Sequence, residues 1–221
     1  MKSAKLGLCI SVMAMFLGAC AKGGTSYSLL PMGKTFRQNS SNQNAKIDVL
    51  WVIDNSGSMQ TSQENLANNF PTFIDNFTSK GLDFQMAVTT TQAYLALPTY
   101  TSYYNNNPHP AYYDGLSQEL IAKFRDGAGG AHSGFFTITP STPNLNNVFM
   151  INAMQGINGR GDERSLQSMQ AALTSPLNTG FVRSGGFLSV IILTDEDDFS
   201  HPGTTMYETY VPNLEPIDSY V

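Results

Sequence analysis

The sequence predicts an α/β fold with a mostly parallel central sheet. Two nearly all-apolar runs, Ile47–Ile53 and Phe187–Leu193, have the composition of strands buried on both faces, as parallel strands are. Between them, Leu66, Phe70, Phe73, Ile74 and Phe77 recur at steps of three and four, the period of an amphipathic helix. Strand and helix therefore alternate, which is the pattern of a sheet covered by helices.

Taken in order, residues 1–19 come before the domain. Lys2 and Lys5 precede an apolar run, Leu6–Leu17, that is too short for a comfortable membrane span and is organised as a signal peptide. The run closes on Leu17-Gly18-Ala19-Cys20, which resembles the lipobox of bacterial lipoproteins. The resemblance implies that Cys20 becomes a lipidated N-terminus in the cell envelope. Ala21, not aspartate, follows it, which implies outer-membrane anchoring in a Gram-negative host. Cys9 leaves with the leader and Cys20 carries lipid, so no thiol is left to form a disulfide. The chain carries a net charge of −5, and −7 once Lys2 and Lys5 are gone, which argues against a nucleic-acid partner.

Residues 20–45, rich in Ser, Gly, Asn, Gln and Lys, read as a flexible tether, and 46–221 as one domain. The helical pattern ends before Gly81, and Pro71 is expected to kink it. Leu82–Thr90 reads as a second strand, Phe135–Ile138 as a third, and residues from about Asp162 to Leu177 as a second helix. The long segment 91–134 is loaded with Tyr, Asn and Pro and has no clear period. It reads as a surface elaboration whose aromatics cover a sheet edge, or as a surface that meets a ligand.

Both apolar runs end at aspartates, Asp54 and Asp195. Open parallel sheets gather ligands outside the carboxyl ends of their central strands, so these two carboxylates should meet, and like charges there need a cation. After the first run the chain reads Asp54-Asn55-Ser56-Gly57-Ser58-Met59. One carboxylate and two hydroxyls in a tight loop are hard oxygen donors for Mg²⁺, Mn²⁺ or Ca²⁺. The competing reading is a helix N-cap built from the same residues.

Val52-Ile53-Asp54-Asn55-Ser56-Gly57-Ser58-Met59 resembles the metal-ion-dependent adhesion site of von Willebrand factor type A domains. Leu193-Thr194-Asp195 resembles the strand that carries that family's distal aspartate. The resemblance implies a doubly wound, Rossmann-like sheet flanked by helices. It also implies a divalent ion, Mg²⁺ first and Mn²⁺ or Ca²⁺ next, held by Asp54, Ser56, Ser58 and Asp195. A protein partner offering a carboxylate would complete the ion's shell, so the expected activity is adhesion or protein binding and not catalysis. A structural envelope protein with a stabilising metal, and a metal-dependent hydrolase, are the alternatives.

The family's additional threonine has no counterpart in Gly156–Leu166, where Asp162 or Glu163 stands in its place. An extra carboxylate there would favour Ca²⁺ or lessen the need for a partner's acid. Type A domains also continue past the distal aspartate with a further strand and helices. This sequence stops at Val221, so the resemblance implies a domain short at its C-terminal end.

Overall fold

A computed structural model describes residues 46–106 and 115–201. The residues read as leader and tether, Cys20 among them, and those after His201 lie outside the described residues. In chain order the elements are β1 (Lys46–Ile53), α1 (Gln60–Thr78), β2 (Asp83–Thr90), α2 (Thr101–Asn106) and α3 (Gln118–Ile121). There follow the two-residue strands β3 (Gly127–Ala128) and β4 (Ala131–His132), α4 (Leu145–Ala153), α5 (Ser165–Thr174) and β5 (Phe187–Leu193). Among the described residues, no helix is long and apolar enough to cross a membrane.

The main sheet has the order β2-β1-β5, and both pairings are parallel. The alternation of side chains along β1 explains why helices cover both faces of the sheet. Val49, Trp51 and Ile53 pack with Phe70 and Ile74 of α1 and with Val148 and Phe149 of α4. Leu50 and Val52 pack with Phe124, Phe181 and Ala172 of α5 on the other face. Trp51 sits edge-on to Phe73 and Phe149, with ring centroids 5.4 and 5.3 Å away.

Several expectations change. β1 is buried on both faces as predicted, whereas in β5, which pairs with β1 among the described residues, Phe187, Leu188 and Ile192 are exposed. α1 contains Pro71 within its span, as the helical pattern across that residue predicts. The expected strand Phe135–Ile138 shrinks to one antiparallel bridge between Ile138 and Met86, because Ser133 and Asn152 side chains take the polar groups of Phe135. The helix expected from about Asp162 starts at Ser165 and stops at Thr174, before the extended Ser175 that Pro176 requires. Leu145, Val148, Phe149 and Ala153 of α4 follow the helical spacing that a core-facing helix shows.

The tyrosine-rich segment is partly core. Tyr94 and Tyr100 are buried with Leu95 and Ile121, and the Tyr94 and Tyr100 rings meet edge to face at 4.8 Å. Beneath them lies Arg164, fully buried, which donates to the Tyr100 hydroxyl at 2.6 Å. The sheet-edge role expected of these aromatics gives way to packing against the loop that leads into α5.

Candidate metal centre

The sheet register builds the site. Ile53 lies opposite Thr90 on one side and Leu193 on the other, so the three strands end level. The next residue of each strand, Asp54, Thr91 and Thr194, therefore falls on one rung, which is tied by Asp54 N–H to the Leu193 carbonyl at 2.9 Å and Thr91 N–H to the Ile53 carbonyl at 3.3 Å. The Thr91 hydroxyl donates to Asp54 Oδ1 at 3.3 Å, and the Thr194 hydroxyl lies 3.4 Å from Oδ2.

From that rung the β1–α1 loop folds over Asp54. The Ser56 N–H donates to Asp54 Oδ1 at 2.7 Å and its hydroxyl to Oδ2 at 3.0 Å. The Ser56 and Ser58 hydroxyls lie 3.4 Å apart, and the Ser58 hydroxyl donates to Asp195 Oδ1 at 3.2 Å. The N-cap of α1 is Met59, with no side-chain cap bond. Neither serine, nor Asp54, caps the helix, so the competing reading of this loop is not what the structure contains.

A third chain segment closes the site. Gln63, buried in α1, donates its amide to the Asp54 carbonyl at 2.8 Å and to the Gly156 carbonyl at 2.9 Å. Gly159 N–H reaches the Asn55 carbonyl at 2.6 Å. A Cβ on Gly159 would lie 2.5 Å from that oxygen, so only glycine admits this approach. The loop so pinned delivers Glu163, whose Oε2 accepts from the Thr194 hydroxyl at 2.7 Å.

Asp54, Glu163 and Asp195 each offer a carboxylate oxygen, and these three oxygens lie within 4.8 Å of one another. Asp54 is 0 % and Glu163 1 % exposed, whereas Ser58 and Asp195 open to solvent. Among the described residues, none of the three is paired with a lysine, arginine or histidine. Glu163 Oε1 is buried without a hydrogen-bond partner, and such atoms are rare because desolvation without compensation is costly. Burial above all pushes the Glu163 carboxyl up to about 8; the adjacent Asp54 adds to the rise and the Thr194 hydroxyl opposes it. Two buried carboxylates, a third at the rim and two serine hydroxyls fit a hard divalent cation.

The two candidates in the α5 loop separate. Glu163 joins the site, whereas Asp162 turns the other way. Its Oδ1 accepts from Arg160 Nε at 3.1 Å, its Oδ2 accepts from the Tyr94 hydroxyl at 3.0 Å, and Arg164 Nε lies 3.6 Å from it. Asp162 is thus neutralised by Arg160 and Arg164 and lies outside the cluster of Asp54, Glu163 and Asp195. The Asp198 Oδ1 accepts from the Leu166 N–H in the first turn of α5 at 3.1 Å. Thr91 and Thr194 escaped the sequence reading, although each is the residue that follows a predicted strand. No protein-family model, curated protein or solved structure matches the chain.

Proposed function

We propose that this chain is an envelope lipoprotein whose domain, of the von Willebrand factor type A kind, uses a bound divalent ion to bind a protein partner. The observation that carries the reading is the meeting of Asp54, Glu163 and Asp195 at the ends of parallel strands, with Glu163 Oε1 buried and unpartnered. Asp54, Glu163 and Ser56 would hold the ion from within, and Asp195 and Ser58 from the rim. Mg²⁺ is the first candidate, with Mn²⁺ and Ca²⁺ next. The ion would supply an exposed coordination position on the side where Ser58 and Asp195 meet solvent.

The three carboxylates are all assigned to holding the ion, and the donor set has no histidine, cysteine or lysine beside them to act as base or nucleophile, which favours binding over hydrolysis. Anchoring through a lipid on Cys20 would hold the domain at the membrane surface, outer in a Gram-negative host. The test is calorimetric titration with Mg²⁺, Mn²⁺ and Ca²⁺, beside Asp54→Ala, followed by a divalent-dependent pulldown. A one-to-one site lost in the variant supports the reading; no binding by folded protein sinks it.

A second reading is that the ion chiefly stabilises the fold. It is favoured by the way three separate chain segments, Asp54–Ser58, Gly159–Glu163 and Thr194–Asp195, converge on the same centre. Metal-dependent melting with no detectable partner would favour it over the first.

A further inference from the structure

Resting on that reading, we propose that Glu163 saturates the charge of the ion site, so that the group the ion accepts from a partner is a neutral oxygen, an amide or hydroxyl, and not a carboxylate. A divalent ion among Asp54, Glu163 and Asp195 leaves a net charge of −1 on the site itself. The hydroxyls of Ser56 and Ser58 add donors without adding charge. A fourth carboxylate would therefore approach a centre that already repels it, and would do so over a partly buried site where screening by solvent is weak.

The surroundings make that repulsion stronger. Glu196 and Asp197 follow Asp195 directly in the chain, and both are exposed. The two cations nearest in sequence, Arg160 and Arg164, are buried and engaged with Asp162 on the opposite side of the Glu163 backbone. The open face of the site is thus acidic, and a partner that fits it brings an uncharged oxygen donor flanked by lysine or arginine. Glu163 is also the feature that allows the ion to stay bound without a partner, because the chain already supplies its full complement of anionic ligands.

The test uses the purified full chain in detergent, loaded with Mn²⁺, and reads the relaxivity of water protons, which reports exchangeable water on the ion. Acetate serves as the carboxylate probe. Wild-type relaxivity is expected to hold as acetate is added, whereas Glu163→Gln, of the same shape and one charge less, should lose relaxivity as acetate displaces water. Calorimetry on the same samples should show Mn²⁺ affinity falling about a hundredfold or more in the variant, the scale of one lost charge contact in a partly buried site. Asp195→Asn removes the same charge at the exposed rim, and serves where the buried substitution disturbs folding.

Acetate displacing water equally well from wild type would overturn the inference, as would Mn²⁺ affinity unchanged in both variants. Either result leaves the metal-binding reading standing. Failure of the wild-type chain to bind Mn²⁺ at all removes the reading itself, and the inference with it.

Discussion

β1 carries a buried aspartate near each end, and the two are treated differently. At the amino end, Asp48, 1 % exposed, accepts from the Arg183 backbone N–H at 2.7 Å and from its Nε at 2.6 Å. The same guanidinium reaches Asp83 Oδ1 at 2.6 Å, and so staples β1 to β2. At the carboxyl end, Asp54 is equally buried, yet it is met by hydroxyls, a backbone N–H and two further carboxylates, with no cationic side chain. The chain neutralises one aspartate with its own arginine and, among the described residues, leaves the other without a cationic partner. Burying a charge is tolerable only when something compensates it, so the difference supports the proposal of an ion at the carboxyl end, while the amino end is closed by the fold itself.

The largest expected effect breaks the closed end. Arg183→Ala leaves Asp48 buried without its partner, and removing one side of such a pair costs about 3–5 kcal/mol. Arg183 is 20 % exposed in its side chain, which places the cost toward the lower part of that range. Chemical denaturation should show the loss, while divalent-ion affinity measured on the folded fraction stays at the wild-type value. A fall in ion affinity of the same size as the fall in stability would mean that the two ends are not independent.

Next in size is the pH dependence of the open end. Glu163 has its carboxyl raised from an ordinary 4.5 to about 8 by burial first and by Asp54 second. Between those values the folded, metal-free protein binds more protons than the unfolded chain does. Its stability is therefore fullest below about pH 4.5 and is lost as pH rises through about 8. Binding of the proposed ion should run the other way, strengthening with pH and releasing a proton near neutrality. Urea midpoints in the presence of EDTA at pH 5, 6.5 and 8, each referred to Glu163→Gln, should show the wild type losing ground as pH rises. A flat difference would remove the raised carboxyl from the account.

How much of this contrast was legible in the residue order follows from what each end requires. The carboxyl end was readable because its groups sit in short, local patterns: Asp54, Ser56 and Ser58 in one loop, and Asp195 after an apolar strand. The amino end was not, since Asp48 and Arg183 lie 135 residues apart and only the fold brings them together. Glu163 and Asp162 were equal candidates in sequence because neighbouring residues point in different directions. The choice was made by Arg160, Arg164 and Tyr94 capturing Asp162. Thr91 and Thr194 depended on strand register, which no single strand pattern contains. The α/β class was legible from the apolar runs, while the two-residue strands β3 and β4 were not, since segments so short carry no period.

The smallest expected effect sharpens the comparison at the junction that places Glu163. Gly159 has an ordinary backbone conformation, so its need for glycine is spatial and not conformational. An added Cβ would meet the Asn55 carbonyl oxygen at 2.5 Å and the Asn55 side chain at 2.6 Å, pressing the 156–163 loop away from the loop that carries Ser56 and Ser58. Gly159→Ala should cost about 1–3 kcal/mol of stability, the usual range for a forced steric shift. It should also weaken divalent-ion binding, since Glu163 moves with the displaced loop while Asp54, Ser56 and Asp195 remain. Calorimetry on the folded variant distinguishes the two contributions. Lost stability with unchanged ion affinity would show that Glu163 keeps its place through the Thr194 hydroxyl alone, and that the Gly159 contact serves the fold rather than the site.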